Sequence, residues 1–350
     1  MVSDFSLDEK IGQMILTGFR GKQVDKNSII VKDITKNKLG NVWITDNENS
    51  DNKPIGNIES KEQLKKLIDD LQNFSHYKLF ISADVEGGNV VRLKEKYGFP
   101  KTYSAKFLGD KNDLSFTKET ASLLAQTLKE VGINLNFAPV VDLNINKELN
   151  IIGRKERSFS EDPEIVFQHA KEFIIAHKEK NIATCLKHFP GHGSALSDTH
   201  AGFVDATFQW SEKELIPYKL LIKENLVDAV MISHIFNQKL DNKFPASLSK
   251  KTITDLLRDK LFFDGIVFTD DLNMKAINDN FHLEKSIELA INAGADILVI
   301  SNIKNPLANF VERTIFHIKN LLEQNIISEK RIDESFERIK KLKMKIGLFN

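Results

Sequence analysis

Lys187 to His200 reads "KHFPGHGSALSDTH". It holds three of the nine histidines in the chain, with an aspartate two residues before the last of them. Two chemistries use such residues. His188, His192 and His200 could bind zinc, but the helical form of that site puts two histidines on one face at i and i+4. Pro190 and Gly191 lie between His188 and His192 and break a helix there. The other chemistry is proton transfer from a glycine-punctuated loop, with Asp198 orienting the His200 imidazole and raising its basicity. Lys187 also allows two roles, a Schiff-base amine or a hydrogen-bond donor to a polyhydroxylated ligand. The adjacent His188 and the arginines elsewhere favour the donor role.

Other polar residues end short apolar runs. Asp84 ends "LFISAD", Asp142 ends "LNFAPVVD", Lys187 and His188 end "IATCLKH", and Asp270 and Asp271 end "GIVFTDD". His234 lies near the end of "DAVMISHI". A charge at such a place costs desolvation unless it is paired. Any one of them could be a cap for the following helix; several together imply a shared mouth.

The elements that must position them are legible as a pattern. Eight Val/Ile/Phe-rich runs, from "MILTGF" (14–19) and "NVWIT" (41–45) to "DILVIS" (296–301), are too short for helices and read as buried parallel strands. Amphipathic stretches such as "KEQLKKLIDDLQ" and "PEIVFQHAKEFIIAHKEK" separate them. Ser6 and Glu9 fit a capping box that opens the first helix. Eight alternations predict a (β/α)8 TIM-type barrel with its active site at the C-terminal ends of the strands. A doubly wound open sheet is the alternative. No Pro/Gly/Ser-rich linker divides the 350 residues, so one catalytic domain over 1–350 is expected.

Composition narrows the partners. Lys plus Arg and Asp plus Glu number 49 each, which gives no electrostatic case for nucleic acid or an acidic membrane. The single cysteine, Cys185, excludes an intrachain disulfide and fits a reducing compartment. No apolar run approaches the roughly 20 residues of a membrane span. "MVSDFSLDEKIGQM" has neither a basic start nor an apolar core, so a cytoplasmic location is expected.

The loop resembles the signature of glycoside hydrolase family 3, in its β-N-acetylglucosaminidase branch. "LDEKIGQMILTGFRG", "DVEGGNVVRL", "NFAPVVDL", "IGRKERSFSEDP" and "FDGIVFTDDLNMKAI" agree with the same family, in family order and across nearly the whole chain. The resemblance implies that Asp270 is a catalytic nucleophile and that Asp198 and His200 form the acid/base dyad. It also implies that Asp84, Arg92, Arg157, Lys187 and His188 hold the sugar's hydroxyls. Val85 and Asn89 stand where the family usually has Gln and Arg, and Thr199 keeps the hydroxyl of a commoner Ser. Arg154 and Arg157 both fall in a lengthened segment and either could be the sugar ligand; "RSF" favours Arg157.

The implied reaction is retaining: a carboxylate attacks, and a second group first protonates the leaving oxygen and then deprotonates water. Histidine suits the second role near neutral pH. It also tolerates an anionic nucleophile such as phosphate, so phosphorolysis stays open beside hydrolysis. The implied substrate is a small carbohydrate of the GlcNAc-β-1,4-MurNAc or anhydro-MurNAc type, with no metal or organic cofactor required.

Overall fold

The computed structural model describes residues 5–46, 55–199, 202–303 and 306–349. Ten strands follow one another: β1 Ile15–Gly18, β2 Asn41–Trp43, β3 Phe80–Ala83, β4 Val85–Gly87, β5 Val90–Val91, β6 Leu135–Asn136, β7 Ala183–Phe189, β8 Ala229–Ile232, β9 Ile266–Thr269 and β10 Leu298–Val299. Strands β4 and β5 form a small antiparallel hairpin just past β3. The other eight pair in parallel, in the order β10-β1-β2-β3-β6-β7-β8-β9. A parallel bridge between Phe268 and Ile297 joins the two ends. The sheet is therefore a barrel and not the open doubly wound alternative.

All eight apolar runs of the sequence become barrel strands. β1, β3, β7, β8 and β9 are buried at every residue, as strands covered on both faces must be. β6 is only two residues long because the chain leaves regular pairing at the Ala138–Pro139 step, then touches β7 again through Val140 and Lys187.

The covering helices bury one stripe each. Helix Lys61–Phe74 buries Leu64, Leu67, Ile68 and Leu71, the i, i+3, i+4, i+7 spacing of a single face. Caps fix where helices start: Ser60 accepts from Gln63 N, Asp113 from Phe116 N, and Asp162 from Glu164 N with Pro163 in the first turn. The Ser6–Glu9 capping box is formed in both directions. None of the described helices is long and apolar enough to cross a membrane.

Helix Glu329–Lys345 lies across the N-terminal end of the barrel and ties strand starts together. Lys345 Nζ reaches Asp228 Oδ1 (2.8 Å), just before β8. Arg331 and Arg338, with Arg258, converge on the buried Asp296 before β10, at 3.1, 3.4 and 2.6 Å. Lys343 Nζ donates to Gln13 Oε1 (2.6 Å), Gly40 O (3.1 Å) and Lys78 O (2.9 Å), which precede β1, β2 and β3.

Candidate active site

The opposite end of the barrel carries the charged residues singled out in the sequence. β3 delivers Asp84 to the mouth, and the β4–β5 hairpin brings Glu86 and Arg92 over it. β7 delivers Lys187 and His188; these are consecutive residues, joined by a cis peptide bond, and both take part in the same charged network.

Lys187 is the centre of that network. Its ammonium is buried and lies 2.8 Å from Asp84 Oδ1 and 2.7 Å from Glu86 Oε1. Arg157 grips Glu86 with two parallel bonds, Nε to Oε2 at 2.8 Å and NH2 to Oε1 at 2.7 Å. Arg92 bridges Asp84 and Asp46, at 3.4 Å each, and the Trp43 indole N–H donates to Asp84 Oδ2 at 3.2 Å. Burial opposes ionisation of Asp84, Glu86, Lys187, Arg92 and Arg157, but the opposite charges win. Asp84 is held well below the usual carboxylate range by Lys187 and Arg92, and Glu86 is lowered by Arg157 and Lys187. Asp84 and Glu86 in turn raise Lys187. A Schiff-base lysine needs the opposite shift.

His188 is held by Asp142 at the end of the β6 segment. Asp142 Oδ2 lies 2.7 Å from His188 Nδ1, and its carboxylate also accepts the backbone N–H of His188 and, at 2.8 Å, of His192. Arg157 NH2 lies 3.2 Å from His188 Nε2. A guanidinium has no acceptor, so Nε2 must offer its lone pair and the proton belongs on Nδ1. Burial, with Arg157 and Lys187, lowers His188 well below its ordinary value; burial also raises Asp142.

Asp270 follows β9. Its N–H donates to Ile232 O at 2.9 Å, and its Oδ1 accepts from Asp271 N at 2.8 Å. It therefore stands at the C-terminal ends of β8 and β9, at the mouth. Asp271 turns elsewhere. It accepts from the Ser301 hydroxyl, from Ser301 N at 2.9 Å and from Asn273 N at 3.1 Å, bracing the end of β9 against the end of β10. His234 is a buried brace as well, between Ser247 Oγ (2.7 Å) and Asp271 O (2.9 Å).

Asp198 is half-buried on the loop after β7, and Thr199 O accepts from Ala276 N (3.4 Å) in the segment that follows Asp270. The loop that carries Asp198 therefore reaches toward the segment that follows Asp270. His200 lies outside the described residues. The loop's root is crowded: a side chain on Gly193 would collide with Leu143 O at 1.7 Å, and one on Gly191, at φ 118°, with Glu214. Burial pushes Glu214 up to about 7, against hydrogen bonds from Ser194 and Gly193.

Arg157 enters the site, whereas Arg154 is exposed at the end of a short helix. Sequence reasoning passed over Glu86, Asp46, Trp43 and Glu214. Glu86 had a signal: it follows Asp84 by two residues, the period that returns side chains to one face of an extended segment. Among the described residues, no group of three His, Cys, Asp or Glu side chains is placed to hold a metal ion. His188 already spends both ring nitrogens on Asp142 and Arg157.

A parallel barrel with carboxylates at its mouth is one framework on which glycoside hydrolases are built. The chain belongs to glycosyl hydrolase family 3, matching its N-terminal domain over residues 6–342. It is 35% identical to a β-hexosaminidase of Hydrogenovibrio crunogenus over 255 residues, 70% of this chain and 70% of that protein. It is 34% identical to one of Photobacterium profundum, over 70% of this chain and 72% of that one. A family 3 β-N-acetylglucosaminidase from Paenibacillus sp. str. FPU-7 superposes with a TM-score of 0.89 at 30% identity, covering 99% of this chain. The chain spans 63% of that longer protein. A β-N-acetylhexosaminidase from Beutenbergia cavernae superposes with a TM-score of 0.86 at 25% identity, covering 98% of this chain and 99% of that one.

Proposed function

We propose that the chain is a retaining exo-β-N-acetylglucosaminidase. Asp270 attacks the anomeric carbon, and a covalent glycosyl-aspartate forms as the glycosidic bond breaks. His200, oriented by Asp198, protonates the leaving oxygen; the same imidazole then takes a proton from the water that releases the sugar. Asp84, Arg92, Arg157, Lys187 and His188 fix the sugar's hydroxyls, so that attack becomes effectively unimolecular. Glu86 and Asp142 hold the donors in place.

One observation carries this reading. The Asp84–Lys187–Glu86–Arg157 lattice keeps its charges at the open end of the barrel, where a core would have used apolar side chains. Such a lattice offers fixed donors and acceptors to a polyhydroxylated ligand. The names of the relatives support the choice of N-acetylglucosamine as the sugar.

The finer reading places the substrate among cell-wall fragments, GlcNAc-β-1,4-MurNAc or its anhydro form, in cytoplasmic recycling of peptidoglycan. Comparing aryl β-GlcNAc with aryl β-glucoside tests the sugar. Preference for the glucoside would overturn it. Running the reaction in phosphate and looking for GlcNAc-1-phosphate separates phosphorolysis from hydrolysis.

A further inference from the structure

The loop between β7 and β8 leaves the barrel at Pro190 and returns near Glu214. Its two ends are fastened to each other. Trp210 Nε1 donates to Pro190 O at 3.0 Å. Glu214, fully buried, accepts from Gly193 N at 3.0 Å, Ser194 N at 3.4 Å and Ser194 Oγ at 2.5 Å. From the other side, Asn146 and Asn150 hold the carbonyls of Gly193 and Ser194. Ser194 and Ala195 are buried, Leu196 and Ser197 are exposed, and Thr199 is buried again against Ala276. Asp198, half-buried, thus lies on a short arch between two anchored points.

The sequence-derived roles leave Glu214 without a task, and a carboxylate buried here costs free energy. Its three donors all come from the two residues at the root of the arch. Gly191 lacks a side chain where one would strike Glu214, so backbone and carboxylate are fitted to each other.

We propose that Glu214 is a positioning residue for the acid/base loop: its carboxylate fixes Gly193 and Ser194, and through them sets where Asp198 stands relative to the glycosidic oxygen. This rests on the reading of Asp198 and His200 as the acid/base dyad. Displacement of a catalytic group by about 1 Å costs on the order of 10²-fold. The loss must appear only where protonation of the leaving group matters.

The test measures the first chemical step for wild type, His200→Ala, Glu214→Ala, Glu214→Gln and Ser194→Ala. A GlcNAc disaccharide followed by single-turnover quench is compared with nitrophenyl β-GlcNAc followed by its burst. His200→Ala should lose about 10²- to 10⁴-fold on the disaccharide and far less on the nitrophenyl glycoside. Glu214→Ala should show the same selectivity at about 10- to 100-fold, and Ser194→Ala a weaker version. Glu214→Gln, whose amide still presents an acceptor, should recover most of the loss. If His200→Ala is selective but Glu214→Ala is not, the anchoring role falls and the dyad stands. If His200→Ala is itself unselective, the dyad reading falls first. Should Glu214→Ala fail to fold, Ser194→Ala carries the decision: equal losses on both substrates, or none, overturn the proposal.

Discussion

Two of the described lysines are buried, one near each end of the barrel. Lys187 at the mouth sits between two carboxylates, which raise it against burial. Lys343 at the base has three neutral acceptors and the Phe80 ring 5.0 Å from its nitrogen; burial pulls it down to about 7. The difference shows what each end is built for. Neutral carbonyls can hold an ammonium in one place, but they offer little to a ligand once satisfied. Carboxylates that already hold a cation keep lone pairs and charge to share with hydroxyl groups. The base uses a buried charge to tie strand starts together, and the mouth uses one to keep a polar surface rigid.

The largest expected effect is at the mouth. Asp270→Ala should cut turnover by about 10⁴-fold or more, the scale seen on removing a covalent nucleophile. Its melting temperature should stay within a few degrees of wild type. A slow fluorinated glycoside should label the peptide that contains Asp270. Label on Asp271 or Asp84 would reassign the two ends of the site.

Lys187→Met comes next. Asp84 and Glu86 would each lose a buried partner, so both activity and stability should fall. The stability cost should be about 3–5 kcal/mol, the range for breaking a buried ion pair, read from urea denaturation. Lys187 has its folded pKa raised, so its stabilisation is present below about 10.5 and fades as pH rises through the folded value.

Lys343→Met should separate the two ends. Activity of the folded variant should stay near wild type, while stability falls by about 1–3 kcal/mol because three acceptors lose their donor. The pH slope has the opposite sign from Lys187. With a folded pKa near 7 against 10.5, the folded state binds fewer protons across that window, so stability rises with pH there. The slope is at most about 1.4 kcal/mol per pH unit. Lys343→Met should flatten it in denaturation curves from pH 7 to 10. An unchanged slope would mean that the three carbonyls keep the ammonium charged throughout.

The smallest expected effect is none. Exhaustive EDTA treatment should leave hydrolysis of aryl β-GlcNAc unchanged. A loss restored by zinc would return His192 and His200 to the ligand role and end the side-chain-only mechanism.

The barrel was legible because each parallel strand is buried on both faces and so leaves an unbroken apolar run, from Met14–Phe19 to Asp296–Ser301. The mouth was half legible. Strand-end charges such as Asp84 and Lys187 violate the apolar pattern around them and stand out. Trp43 does not, since it reads as an ordinary aromatic in β2, and Glu86, in a hairpin past its strand, is marked only by its two-residue spacing from Asp84. Glu214 was invisible because its donors lie 20 and 21 residues away, beyond any local periodicity. Likewise the fastening of the base by Lys343, 330 residues from Gln13, is a property of closure and leaves no local trace.

That fastening has a consequence for how the protein emerges from the ribosome. β1 pairs with β10, and the starts of β1, β2, β3, β8 and β10 are tied by helix Glu329–Lys345. A nascent chain that has made the first nine strands still exposes the edges of β1 and β9 and lacks Lys345 beside Asp228. Unpaired strand edges of this kind are prone to aggregate. Translation must therefore pass β10 before the ring can shut, and a stall between β9 and β10 would leave an open sheet for chaperones to shield.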